Sequence, residues 1–142
     1  MKYLLPIALL LIFFSLFTCS TNAQEIRDER GVKVGKLEEN GTLRDGRGVK
    51  TGTFEEDGDV RDSRGVKEFR IESDGDIRDS RGVKVGSVED DGTVRDSRGV
   101  KIGKIEDDGD VRDARGVKIG TAREVDKYKA AVVFFFRERG KR

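Results

Sequence analysis

Apolar residues recur along most of this chain in a frame of 17 positions. The clearest copy runs from Val94 to Asp110, with Val94, Val100, Ile102 and Ile105 at the first, seventh, ninth and twelfth places. Arg, Lys, Asp, Glu and Gly occupy most of the rest. Full copies cover residues 26–42, 43–59, 60–76, 77–93 and 94–110, and a partial one covers 111–122. The apolar set is mostly β-branched, two of its members stand two apart, and no helical stripe survives the Gly-rich joints. That pattern predicts strands. A period without insertions predicts one supersecondary unit repeated by a constant operation.

Two turn signatures punctuate each copy. One is Glu-x-Asp/Asn-Gly, as in Glu38-Glu39-Asn40-Gly41; the other is Asp-x-Arg-Gly, as in Asp45-Gly46-Arg47-Gly48. An acid at the first place and Gly at the fourth suit a type I turn whose Gly enters the left-handed region, the three-residue hairpin loop. The first turn then sets Leu37 against Leu43, Phe54 against Val60, Ile71 against Ile77, Val88 against Val94 and Ile105 against Val111. Every pair is apolar, so one face of the sheet is buried. The second turn sets Leu43 against Thr51, Ile77 against Val85, Val94 against Ile102 and Val111 against Ile119.

Strand parity would put the ninth and twelfth residues on opposite faces. A β-bulge at the intervening Gly (Gly35, Gly52, Gly86, Gly103, Gly120) restores the twelfth to the core side and bends the strand. Repeated bends curl the meander and favour closure into a ring or short barrel. Five Glu-x-Asp/Asn-Gly turns stand beside six Asp-x-Arg-Gly turns, so five-fold and six-fold closure are both open. Ile26–Asp28 and 117–122 are left over and can pair to close the ring. Copy three departs from the rule, with Glu68 at the ninth place and Phe69 where Gly belongs. Its bulge should lie nearer Glu68.

Past residue 122 the repeat stops. Ala130 to Phe136 form a run apolar on all sides, too short for the ~20 residues of a membrane span and therefore predicted to be buried. A ring of ten or more strands is too wide for Val and Ile alone to fill. Residues 123–136 are thus expected to plug the ring, as a helix starting near Asp126 or, alternatively, as a closing strand.

Composition narrows the chemistry. Residues 1–23 read as a signal peptide: Lys2, an apolar stretch from Leu4 to Phe17, and Thr21-Asn22-Ala23 before Gln24. Cleavage after Ala23 is the first expectation. Lipidation of Cys19, preceded by Leu16-Phe17-Thr18, is the alternative. Lys2 is the only charged residue of that stretch, so the remaining domain, 24–142, has balanced signs. A dedicated nucleic-acid binder would carry a basic surplus. Cys19, Met1 and Pro6 are the only residues of their kinds, and His and Trp are absent. Disulfides, imidazole bases and Cys/His zinc sites are excluded beyond residue 23.

Tandem Val-Arg-Asp-Ser-Arg-Gly-Val-Lys-Ile-Gly units closed by the Ala-Ala-Val-Val-Phe-Phe-Phe tail resemble secreted bacterial 5-fold β-flower proteins. The resemblance spans residues 26–136. It implies a five-petalled β arrangement in an exported protein of Bacteroidota type. It supplies no activity and no catalytic residues.

The expected fold is therefore all-β, tandem hairpins closed with five-fold order and plugged by the apolar tail. Glu68, Phe69 and Arg70, the one irregular stretch, are the candidate ligand-binding residues. The third-position carboxylates Asp28, Asp45, Asp62, Asp79, Asp96 and Asp113 share one rim, where turn formation explains them and a cation ring is the alternative. Arg at the second place and Lys at the eighth face each other outside, a solvated face or a docking surface for an anionic envelope glycan. Glu106 to Asp110 lacks the spacing of a calcium loop. No catalytic constellation, metal or cofactor is expected, and no membrane-spanning segment in the domain. The sequence-level function is an exported, non-catalytic binding or structural module of the bacterial envelope, secreted or periplasmic, with a glycan or protein partner. A carbohydrate-active enzyme near Glu68 and Arg70, or a Ca²⁺-stabilised adhesive module, are the alternatives.

Overall fold

Both turns of each copy fold as their acids and glycines dictate. In the computed structural model, which describes residues 24–137, the closing Gly of each turn donates its N–H to the acid's carbonyl three residues back, as Gly41 does to Glu38 and Gly48 to Asp45, both at 3.0 Å. These glycines hold φ between 81° and 98°, where a side chain would be strained. The leader expected at residues 1–23, its cleavage site and Cys19 lie outside the described residues.

The turns link twelve antiparallel strands: β1 (Gln24–Asp28), β2 (Lys33–Leu37), β3 (Thr42–Asp45), β4 (Lys50–Phe54), β5 (Asp59–Asp62) and β6 (Lys67–Ile71), then β7 (Asp76–Asp79), β8 (Lys84–Val88), β9 (Thr93–Asp96), β10 (Lys101–Ile105), β11 (Asp110–Asp113) and β12 (Lys118–Ala122). Each pairs with its neighbours in sequence, and β1 pairs with β12 through Ile26 and Ala122 to close a barrel. The ring is five-fold in its Glu-x-Asp/Asn-Gly turns and six-fold in its strand pairs. The sixth place on the Glu rim is where the chain enters β1 and leaves β12.

All five apolar pairs across the Glu turns form as expected, from Leu37 with Leu43 to Ile105 with Val111. The register across the Asp turns differs. Leu43 faces Gly52, Ile77 faces Gly86, Val94 faces Gly103 and Val111 faces Gly120, not the ninth-position residues. The extra residue is the ninth itself: Arg95 still faces Lys101, so Ile102 is the one left over. Copy three is no exception, because Glu68 is the residue skipped between Lys67 and Phe69. Gly is thereby aimed inward and the ninth side chain rides half-exposed on the bulge. The seventh-position valines, expected in the core, stand 55–57% exposed at the Asp rim. With the extra residue at the ninth place, nothing requires the seventh to face in.

Inside, the first-position residues Ile26, Leu43, Val60, Ile77, Val94 and Val111 form a buried belt, joined by most of the twelfth. The tail enters from the Glu rim. Asp126 caps α1 (Lys127–Ala131) by accepting N–H bonds from Tyr128 and Lys129, and α1 packs on β8 and β10. Lys127 Nζ donates to the Asp90 carbonyl at 2.5 Å, tying the helix to that rim. Ala130, Ala131 and Val132 are fully buried, small enough to pass the bulky twelfth-position belt. The chain then widens into a π-helix, Val132–Arg137, where the wall falls away to glycine.

The last four residues of that π-helix each meet a different sector of the wall. Phe134 lies against Gly120, Phe135 against Gly103, Phe136 against Gly86 and Arg137 against Gly52. In the sector between the last two the wall supplies its own aromatic, Phe69, whose ring centroid is 6.5 Å from that of Phe136. From Phe134 to Arg137, three steps thus cross four of six sectors, ~80° per residue against ~100° in an α-helix, the sense expected of a wider π turn. The helical expectation for the tail holds, and its winding matches the barrel's spacing.

Candidate functional site

Glu68, Phe69 and Arg70 do not converge on one site. Their bulged strand sends Phe69 inward to Phe136 and leaves Arg70 on the outer face. There Arg70 reaches the buried carboxylate of Asp59 at 3.3 Å and Glu72 at 3.7 Å. Glu68 stands 3.0 Å from Nε of Arg137, whose side chain is only 13% exposed, while another guanidinium nitrogen of Arg137 donates to the Thr51 carbonyl at 2.8 Å. The ion pair lacks hydrogen-bond alignment, since Glu68 Oε2 has no hydrogen-bond partner. Phe69 completes the plug and Glu68 balances the cation at its end. The irregular copy is matched to the tail.

The third-position carboxylates are engaged in their turns. Asp45 accepts N–H bonds from Arg47 at 2.9 Å and from Val49 at 3.0 Å, and Asp28, Asp62, Asp79, Asp96 and Asp113 repeat the pattern. Donation from Val49 holds the Asp45 carboxyl below its ordinary value, and donation from Val66, Val83 and Val117 does the same for Asp62, Asp79 and Asp113. Among the described residues one carboxylate trio, Glu55, Asp57 and Asp59, brings its oxygens within 4.8 Å of one another. Asp59 already meets Lys67 at 3.2 Å, Arg70 at 3.3 Å and Arg61 at 3.6 Å.

On the outer face Arg44 pairs across the strands with Lys50, and Arg95 with Lys101, as expected. Acids interleave: Arg44 donates to Glu38 at 2.7 Å and to the Gly48 carbonyl at 3.1 Å, so one guanidinium braces the Asp turn of its own copy and the Glu turn of the copy before it. Lys84 meets Asp76 at 3.1 Å and Lys118 meets Asp110 at 3.2 Å.

Two further features have no counterpart in the sequence reading. A cavity of about 150 Å³ opens beside Gly35, between Ile26, Leu43, Val133 and Arg137. It occupies the sector that faces Val133, a residue smaller than the phenylalanines after it. The second feature is the Asp rim itself. It carries Val32, Val49, Val66, Val83, Val100 and Val117, all exposed, each directly after a turn of sequence Arg-Gly. The opposite rim carries five acidic turns, with Arg123, Lys127 and Lys129 of the tail beside them, and acids predominate there. The barrel is therefore bipolar. Repetition in the sequence was the available signal, but these valines look like core residues until the register is known.

A family model described as 5-fold beta-flower protein matches residues 23–138. Searches of curated proteins and of solved structures returned no match.

Proposed function

The chain belongs to the 5-fold beta-flower family, and from that premise we propose that it is an exported, non-catalytic binding module of the bacterial envelope. One observation carries the reading: apart from the small space beside Gly35, the barrel's interior is filled by its own tail, so recognition falls to a repeated outer surface. The charged side chains of the irregular copy serve internal pairing, Glu68 with Arg137 and Arg70 with Asp59, which leaves no distinct acid/base pair there. The apolar stretch after Lys2 supports export. A repeated surface suits a repetitive or extended partner, because weak contacts add when many engage at once. Immobilised residues 24–142 should retain a defined component from native envelope extract. Retention no greater than on a heat-unfolded control would overturn the proposal.

A further inference from the structure

Within one chain, six copies of a unit reveal which positions tolerate change. The fourth place holds Glu29, Gly46, Ser63, Ser80, Ser97 and Ala114, and the ninth ranges from Val34 through Thr51 and Glu68 to Ile119. Six places are identical in all six copies: Arg, Asp, Arg, Gly, Val and Lys at the second, third, fifth, sixth, seventh and eighth. Four of these have work inside the barrel. The second-place Arg braces the turns, Asp accepts the turn N–H bonds, Gly holds positive φ, and Lys33, Lys67, Lys84 and Lys118 pair with acids on the neighbouring strand.

The other two have none. The fifth-place arginines Arg30, Arg64, Arg81, Arg98 and Arg115 approach their own Asp only at 3.6–3.9 Å, with side chains 79–85% exposed. Pairs so exposed contribute little. The seventh-place valines take part in the turn through their backbone alone; their side chains face solvent. Six Arg and six Val therefore crown one end of the barrel in a single ring. The six Asp of that rim are turned in toward their own N–H donors, so six Arg and six Val project, with the short fourth-place residues and one acid, Glu29, between them.

We propose that this crown docks flat on an anionic phospholipid surface. The inference rests on the envelope-module reading and names its partner. Charge complementarity argues for it: guanidinium forks suit phosphate, and the acidic rim at the other end orients the barrel crown-down. Apolar side chains ringed by cations are the composition of surfaces that settle at a headgroup boundary without crossing it. A second copy fits less well, since head-to-tail stacking would satisfy the arginines but press six valines against carboxylates.

The test uses residues 24–142, within which the β1–β12 closure and the plug both lie. The protein is sedimented with phosphatidylcholine vesicles, with and without phosphatidylglycerol. Binding should require phosphatidylglycerol, weaken with salt, and fall about five-fold per arginine removed at low salt. A variant with Arg47, Arg64, Arg81 and Arg98 changed to Gln reads the charge. One with Val49, Val66, Val83 and Val100 changed to Ser reads the apolar part, and should lose binding that persists at high salt in the parent. Circular dichroism and melting confirm that both variants fold. Absence of sedimentation with phosphatidylglycerol, indifference of binding to both variants, or concentration-dependent stacking abolished by the arginine variant would each overturn the assignment. Envelope retention that survives lipid removal, with no vesicle binding, would refute the crown and leave the module reading standing; loss of both would end both.

Discussion

Glu68 and Arg137 meet at 3.0 Å, joining the one irregular copy of the repeat to the last described residue of the plug. The guanidinium is largely shielded, so removing its carboxylate leaves a cation without its balance. Glu68→Gln should destabilise the domain by about 1–3 kcal/mol, less than a fully buried pair because Glu68 keeps some solvent. The double variant Glu68→Gln with Arg137→Gln should recover part of that loss. Chemical denaturation of the three variants measures both numbers, and a double variant no better than the single one would contradict the coupling.

The plug fits because the wall gives way. A Cβ on Gly86 would sit 2.5 Å from Phe136 Cζ and press on the Arg95 carbonyl as well. Gly86→Ala should cost about 1–3 kcal/mol by overpacking. Phe136→Leu in the same chain should relieve part of it. Urea midpoints decide, and a neutral Gly86→Ala would mean that the ring does not occupy that sector.

The reverse case lies beside Gly35, where Val133 leaves about 150 Å³ unfilled. Val133→Leu adds volume toward that space. Filling should raise stability by about 0.5–2 kcal/mol, read as a higher melting temperature. An equal or lower melting temperature would show that the cavity wall does not accept a larger side chain.

Acid should loosen the Asp rim. The carboxyls of Asp45, Asp62, Asp79 and Asp113 lie below their ordinary value when folded, because backbone N–H groups donate to the charged form. Unfolding restores the ordinary value, so the unfolded chain binds more protons in acid. Their contribution is whole above the unfolded value of about 3.9 and is lost as pH falls through the folded values. Melting temperature should hold between neutrality and about pH 5 and decline below about pH 4. Changing the four to Asn keeps an oxygen for the turn and removes the charge, which should flatten the decline. A parent whose stability rises on acidification would reverse the argument.

Why some of this was legible and some not follows from sequence distance. The pairs from Leu37–Leu43 to Ile105–Val111 are fixed by a turn five residues wide, so local chemistry decides them. The bulge is different. One extra residue at either the ninth or the tenth place gives the twelfth side chain the same face, and nothing within a copy chooses between them. The choice belongs to Phe134, Phe135 and Phe136, which need glycine opposite them and stand outside the repeat. The exposed valines were misplaced by the same error, since β-branched residues near a strand end read as core. Glu68 and Phe69 stood out correctly as irregular, but their partners, Arg137 and Phe136, lie far along the chain. A local reading could mark the stretch as irregular but could not find those partners.

Tandem genes gain and lose units readily by misaligned recombination, and most repeat folds tolerate the change by growing longer or shorter. Here the plug meets each spoke with its own residue except where the wall supplies Phe69, and that match forbids it. A seventh unit would add a spoke with nothing to meet it, and a missing unit would leave an aromatic with no berth. The copy number of this flower is policed by a short stretch that is not itself repeated.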